Sequence, residues 1–452
     1  MKEYEAYKNS GIEWIGQIPE GWSVVPLKYY LSLKGRIGWN GLKSEEFQEK
    51  SYAYLVTGQD FNSDVVNWEK CYQISKERYD EDPFIQLENG DLLVTKDGTI
   101  GKVAKVANLD KPACLNSGIF VVKQTKGVFE QNYLYWFFVS NQLKEFVGFN
   151  STGSTIAHLY QNVFENMPLA VPPLTEQKAI ASYLDYKVGQ IDASISAINT
   201  QIDDLKAYRQ SIISEAVTKG LNTDVPMKDS GIEWIGEIPE GWTIIREKFL
   251  MYNYKSGPFG SSLITDKLLE RGNILVYTPE HIAKKTTSIE NNLYLPEERR
   301  NEMCRFFVKP GEIVFPIVGT LGRAMEITKD MPEGIINQRL AKFSINRNRL
   351  DVKFFLYLLT DCQLYKDYVY ENCRGSIIVN LTKEILSDMP VILPPLFEQQ
   401  SIVTYLETKA SKIDSAISSL EAQRDDLNAL KQSIISEAVT GKIDVRDWKP
   451  NK

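Results

Sequence analysis

Histidine is nearly missing from this chain: His158 and His281 are the only two in 452 residues. They stand far apart in sequence, and each reads as a surface or hydrogen-bonding residue rather than a catalytic base or metal ligand. Cysteine is scarce as well. Cys71, Cys114, Cys304, Cys362 and Cys373 are odd in number and lack CxxC spacing, which argues against a disulfide framework or zinc site and for reduced thiols. No apolar run approaches the roughly 20 residues that span a bilayer. The N-terminus, MKEYEAYKNSGIEW, has neither the basic start nor the apolar core of a secretory signal. A cytoplasmic location with no membrane partner is therefore expected. No GxxxxGK(S/T) phosphate loop occurs. Net positive charge is also lacking, at −7 overall, which argues against nucleic acid if the charge is evenly spread.

It is not evenly spread. Residues 223–242 carry a balance of −4, whereas 243–393 hold 21 basic against 18 acidic residues, a balance of +3. The acidic segment is one copy of a repeat. Lys8 to Trp22, KNSGIEWIGQIPEGW, returns as Lys228 to Trp242, KDSGIEWIGEIPEGW, with 13 of 15 positions identical.

A longer repeat organises the rest. Pro172 to Gly220 recurs at Pro394 to Gly441, with a constant offset of 222 as far as Thr218 and Thr440 and of 221 at the closing glycines. In the first copy Leu184, Val188, Ile191, Ile195, Ile198, Ile202 and Leu205 follow the alternating four-and-three spacing of a heptad seam. In the second the seam is Leu406, Ala410, Ile413, Ile417, Leu420, Arg424 and Leu427, with only Arg424 breaking the apolar register. Each run opens after a Pro-Pro pair and closes at a glycine, which marks both helix ends. About 45 residues at about 1.5 Å each give a helix on the order of 65 Å long. Two such seams in one chain most simply bury each other, as an intramolecular antiparallel coiled coil.

The chain is thus a pseudo-twofold tandem duplication of leader, globular region and long helix. The expected segments are 1–171, 172–222, 223–393 and 394–452. The two globular regions have diverged, yet GDLLVTKDGTIGK (90–102) still matches GEIVFPIVGTLGR (311–323), and both regions read as one α+β fold. Strands are expected at Asp91 to Val94, Lys102 to Val106 and Gly118 to Lys123, and helices at Asn132 to Phe146 and Val352 to Tyr368. Kept rods and leaders with diverged domains suit identical partners and different ligands, and a spaced pair of dissimilar domains suits duplex DNA.

The combination of SGIEWIGxIPxGW, GDLLVTKDGTIG, PFGSSL (258–263) and PPLxEQ, duplicated in order, resembles the specificity subunit of type I restriction–modification systems. The resemblance spans nearly the whole chain. It implies two target-recognition domains, each reading one half of a bipartite double-stranded DNA site, with the coiled coil as a ruler for the spacer. It also implies two copies of a modification subunit that bring S-adenosylmethionine and adenine methyltransferase activity, and restriction subunits that add ATP- and Mg-dependent translocation and cleavage. No cofactor is expected on this chain. The (N/D)PP(Y/F) motif of an adenine methyltransferase is absent, the Pro-Pro pairs being followed by Leu174 and Leu396, so this reads as a non-catalytic subunit. A scaffold whose coiled coil spaces two protein-binding domains without DNA specificity is the alternative. A specificity subunit of a related type with other catalytic partners is another.

Candidate DNA contacts in the first domain are Lys34, Arg36, Trp39, Asn40 and Lys43, then Thr57, Gln59 and Asp60, then Lys96, Asp97, Thr99 and Lys102, because cations and amides serve phosphates and base edges together. GTIG equally suits a hairpin turn needing glycine. Ser154, Thr155, His158, Tyr160 and Gln161 form a fourth cluster, for which helix capping is an equal explanation. In the second domain the candidates are Lys255, Ser256, Phe259, Ser261 and Ser262, with Arg271, Lys284, Lys285, Arg323, Gln338, Arg339 and Arg374. Trp14 and Trp234 read as anchors for an identical partner or as plugs of their own domains. The repeated QSIISEAVT runs share that ambiguity.

Overall fold

The computed structural model describes residues 2–36, 42–61, 64–150, 158–259, 263, 268–319, 322–373 and 381–450. Two long helices, Leu174–Lys219 and Leu396–Val439, run where the heptads lie. Each ends at its glycine in the left-handed conformation, Gly220 at φ +81° and Gly441 at φ +71°. Compactness groups the chain differently from the order of its motifs. One unit is Met1–Asn199 with Ala422–Lys452 and the other is Thr200–Glu421, so each contains the first half of one long helix and the second half of the other.

The helix halves are antiparallel within each unit. In the first, Leu184, Val188 and Ile191 share a core with Ile434, Ile435, Ala438 and Val439, with Ile195 and Leu427 packed against it. The Lys431 ammonium grips both oxygens of Asp192, at 2.7 and 2.8 Å. In the second, Leu406, Ala410, Ile413, Ile417 and Ile202 are buried, and Arg209 bonds Asp414 at 2.9 Å and Asp361 at 3.1 Å. Arg209 and Lys431 each stand four residues beyond Leu205 and Leu427 and four before the buried Ile213 and Ile435, so an ion pair interrupts the apolar packing in both units. Ile198, Leu205 and Leu420 are half-buried. Arg424 keeps its charge at the seam edge, bonded to Asp425.

The repeated leaders join the helix ends. Trp22 is 1% exposed, and its indole N–H donates to Glu176 Oε2 at 2.8 Å. A Cβ on Gly441 would lie 3.1 Å from the same ring and 2.4 Å from Pro19. Thus the leader touches the start of one long helix and the end of the other. The second unit repeats the joint: Trp242 donates to Glu398 Oε2 at 2.8 Å, and a Cβ on Gly220 would lie 3.0 Å from the Trp242 ring. The next residue ties each helix start to its globular region. Gln177 accepts from Glu130 N–H at 2.8 Å, and Gln399 accepts from Asp351 N–H at 2.7 Å.

Each globular region is α+β. In the first, antiparallel strands are ordered Leu31–Lys34, Ile119–Gln124, Leu92–Thr95, Val103–Lys105. Beside them lies a three-stranded sheet of Tyr72–Ile74, Ala53–Val56 and Ala113–Leu115, in which the last two strands are parallel. The second region repeats this with Met251–Ser256, Leu340–Ile345, Ile313–Pro316 and Met325–Glu326, beside Tyr294–Leu295, Ile274–Tyr277 and Gly334–Ile336.

The helices expected over Asn132 to Phe146 and Val352 to Tyr368 are each interrupted. Gln131–Val139 stops at Ser140, which is extended, before Asn141–Asn150 begins. The Ser140 hydroxyl donates to Phe137 O at 2.6 Å and accepts from Gln142 N–H at 3.2 Å, serving both helix ends. Cys362 is extended at the equivalent break, before Gln363–Asn372.

One buried group sets the halves apart. Leu27 and Glu247 hold equivalent places, their N–H groups donating to Met167 O and Met389 O, both at 2.9 Å. Glu247 is 0% exposed, and neither carboxylate oxygen has a hydrogen-bond partner among the described residues. Burial pushes its carboxyl up to about 8. A carboxyl raised in this way favours the fold below its unfolded value, and that contribution is lost as pH rises through about 8. Glu247→Leu is therefore expected to stabilise the second unit above that pH, by on the order of a few kcal/mol, and to matter little at pH 4. Denaturant unfolding at both pH values measures this. Trp22→Phe and Trp242→Phe, which remove a donor to a carboxylate, are each expected to cost about 1–3 kcal/mol in the same experiment.

Candidate nucleic-acid interface

Antiparallel pairing brings distant loops to one end of each four-stranded sheet. In the first unit Lys34 ends one strand, Thr95 ends another, and Ile119 and Val103 begin the other two, with Thr95 opposite Ile119 and Val94 opposite Val103. The strand Ala53–Val56 ends at the same place, since Asn116 N–H donates to Val56 O at 2.9 Å and Lys96 N–H to Gly118 O at 2.9 Å. Three clusters separated in sequence therefore meet. Lys102 Nζ reaches Gly58 O at 3.4 Å, and Leu159 N–H donates to Lys96 O at 3.0 Å.

Lys34 is exposed, its ammonium 5.3 Å from the centroid of the Phe84 ring, an exposed aromatic that sequence reasoning did not single out. Lys43 is exposed, and its N–H donates to Glu46. Asp60 is buried and accepts from the N–H and hydroxyl of Thr57 at 2.6 and 2.8 Å, closing a turn that leaves Gln59 exposed. Burial raises the Asp60 carboxyl, against the lowering effect of those bonds. Lys96 lies over the Phe120 ring at 4.9 Å, and desolvation lowers its pKa. Asp97 pairs with His158 Nδ1, and the exposed Tyr160 ring packs 4.6 Å from the His158 ring. Thr99 is exposed, its carbonyl held by the Thr95 hydroxyl. Gln161 donates to Leu33 O at 3.1 Å.

Arg36 requires a correction. It is 2% exposed, with Nε donating to Leu115 O at 2.9 Å and a terminal nitrogen 3.4 Å from Cys114 Sγ. It braces the Ala113–Leu115 strand from inside instead of presenting its charge to a ligand. Trp39, Asn40, Ser154, Thr155, Ser261, Ser262 and Arg374 lie outside the described residues.

The second unit builds the same sheet end with different chemistry. Gly257 passes so close to the next strand that a Cβ would fall 1.8 Å from Asn337 O, which pins the chain just after Lys255 and Ser256, both half-buried. Phe259 follows at 86% exposure, so it is not core. Gln338 and Arg339 are exposed on the facing turn, and Arg323 donates to Ala283 O at 3.0 Å. Lys284 pairs with Glu280 at 2.8 Å, while Lys285 is exposed at φ 49°. Arg271 is exposed but precedes Ile274–Tyr277, at the end of that strand away from this cluster. Leu381 N–H donates to Ile317 O at 2.9 Å, repeating the contact of Leu159 with Lys96.

His281 serves as a buried hydrogen-bonding residue. Nδ1 accepts from Thr278 N–H at 3.1 Å, which leaves Nε2–H to donate to Asn292 Oδ1 at 3.1 Å. Asn292 in turn donates to Thr287 O at 3.0 Å and so fastens the loop behind Lys284 and Lys285.

Trp14 and Trp234 are both half-buried. Trp14 is half-buried against Phe149 and Phe146, with ring centroids 5.3 and 6.3 Å away, and Trp234 stacks on Tyr368 at 5.0 Å. Among the described residues no group of three or more His, Cys, Asp or Glu side chains is placed to hold a metal, and no helix is long and apolar enough to cross a membrane. Both sheet ends offer cations, amides, hydroxyls and exposed rings on a fixed scaffold, which suits hydrogen bonding to base edges and phosphates.

Comparison with known proteins gives concordant findings. The family model described as the type I restriction modification DNA specificity domain matches residues 19–204 and 258–424. The MjaVIII type I restriction enzyme specificity subunit of Methanocaldococcus jannaschii is 26% identical, covering 95% of each chain. The StySPI specificity subunit of Salmonella potsdam is 20% identical, over 96% of this chain and 91% of that one. A chain from a solved structure concerning assembly of a type I R-M system aligns with a TM-score of 0.69 at 17% identity, covering 94% of this chain and 99% of that one, and so shares the fold.

Burial lowers the His281 pKa. Because protonation of Nδ1 destroys the acceptor for Thr278, its contribution is present above the unfolded value near 6.5 and lost as pH falls. Amide protection factors across residues 278–293, corrected for the intrinsic base-catalysed rate, are expected to be lower at pH 5 than at pH 7.5, and low at both in His281→Ala.

Proposed function

We infer the function from one premise: this chain belongs to the type I restriction–modification DNA specificity family, whose model covers most of both halves. Family membership supports DNA sequence recognition. The finer reading is that each sheet end reads one half of a bipartite double-stranded site, and that the antiparallel helix pair fixes the unspecified spacer between the halves. The observation that carries it is the pair of equivalent sheet ends with different chemistry. Lys96 and Asp97 follow Thr95 in one unit, where Ile317 and Val318 follow Pro316 in the other. Two readers with different side chains suit two different half-sites.

In this proposal the chain is non-catalytic and works in the cytoplasm. Two copies of a modification subunit, one per half, bring S-adenosylmethionine and methylate adenine, and restriction subunits bring ATP, Mg and cleavage. The repetition of the leader and helix in both halves supports identical partners on each. The sequence divisions at 1–171, 172–222, 223–393 and 394–452 then correspond to reader, ruler, reader, ruler.

Single-molecule sequencing of adenine methylation tests the proposal, in cells expressing this chain with its methyltransferase and in cells lacking only this chain. The expected result is a two-part motif with a fixed gap that disappears with the chain. An active methyltransferase with no chain-dependent motif contradicts it and favours the scaffold. Inserting one heptad into each long helix is expected to change the gap or abolish methylation, and an unchanged gap with full methylation contradicts the ruler.

A further inference from the structure

The exposed groups at the two sheet ends differ, but one cationic pair beside them does not. Lys102 and Arg323 directly follow the equivalent GTIG and GTLG segments. Against Gly101 and Gly322 packs the helix that follows the Ser140 or Cys362 break. A Cβ on Gly101 would lie 3.5 Å from Leu143, and one on Gly322 would lie 3.6 Å from Lys366. These helices, Asn141–Asn150 and Gln363–Asn372, present Lys144 and Lys366 at the same relative position, 222 residues apart as in the long helices.

Each pair lines a cleft inside its own unit. The first, of about 790 Å³, is bordered by Lys102, Lys105 and Lys144, and the second, of about 370 Å³, by Lys285, Arg323 and Lys366. Carboxylates also line the clefts, and all but Asp185 are paired with a cation. Asp192 holds Lys431 at 2.7 Å, Asp64 lies 3.8 Å from Lys105, Asp185 accepts from Trp136 Nε1 at 2.8 Å, and Asp361 bonds Arg209 at 3.1 Å. Glu145, beside Lys144 in sequence, lines a separate cleft with Trp14 and Phe149.

We propose that Lys102 with Lys144, and Arg323 with Lys366, are matching phosphate clamps that hold the DNA backbone beside each reading end. The inference rests on the DNA-reading function proposed above. The argument is chemical: side chains that read bases differ between the units because the half-sites differ, whereas phosphate is the same at every base pair. A cation pair kept at equivalent positions while its neighbours diverge suits the part of the ligand that does not vary. Lys366 is already steered by Gln210 Oε1 at 3.3 Å, which directs its ammonium within the cleft.

The test uses the full chain, a duplex carrying its methylated motif and a duplex with that motif scrambled, with binding measured across salt concentrations. Lys144→Gln and Lys366→Gln are each expected to lessen the slope of log K against log salt by about 0.9, with affinity falling equally on both duplexes, and the double variant by about twice that. Lys144→Arg and Lys366→Arg are expected to keep the wild-type slope. Unchanged slopes in the glutamine variants, with wild-type binding intact, overturn the clamp alone. So does a loss confined to the motif duplex, which marks base reading instead. A wild-type chain with no preference for its motif overturns the DNA-reading function itself, and the clamp with it.

Discussion

The rest of the structure depends on an indole N–H donated to a carboxylate at the start of a long helix. Trp22 meets Glu176 and Trp242 meets Glu398, each at 2.8 Å. Each indole also occupies the space beside the glycine that ends the other helix. Three separate segments are thereby fixed at one point in each unit: the leader, a helix start and a helix end. A heptad seam alone tolerates sliding by whole heptads, because every step places apolar side chains against apolar side chains. A directional hydrogen bond at the helix start, together with the Asp192–Lys431 or Asp414–Arg209 pair partway along the helix pairing, favours one register.

This constraint explains which parts of the chain could diverge. Leader and helix meet in a joint with almost no free volume, where a single Cβ on Gly441 would fall 2.4 Å from Pro19. The exposed side chains of the sheet-end loops have no such restriction, even where Gly257 pins the backbone. The loops hang from a framework that Gln177 and Gln399 tie to the helix starts, and their exposed side chains can change without disturbing the joint. Fixed framework and free loops fit the proposal that the two halves share partners and differ in what they read.

Much of the architecture was legible in the residues because it follows from spacing. The seam, the Pro-Pro starts and the glycine ends each have a local chemical cause, and the strands at 92–95, 103–105 and 119–124 fall close to their expected places. What was not legible depends on contacts far away in sequence. Trp14 and Trp22 are equally repeated, yet only Trp22 finds its carboxylate, 154 residues later. Arg36 lies in a run of basic and polar residues that reads as surface, but it is drawn inside by the carbonyl of Leu115. The breaks at Ser140 and Cys362 interrupt helices whose apolar spacing continues through them. Glu247 stands where its counterpart is Leu27, and nothing local marks it as buried. For the candidate interface, sequence identified the loops, and the sheet's antiparallel pairing brought them together.

The central proposal is separate reading of two half-sites by the two sheet ends, one in each unit. Its most direct test replaces residues 23–171 with the corresponding region of a relative that recognises a different site, and sequences the methylated motif of the hybrid. The account predicts a motif in which one half changes while the other half and the gap remain. A change in both halves, or in neither, contradicts it.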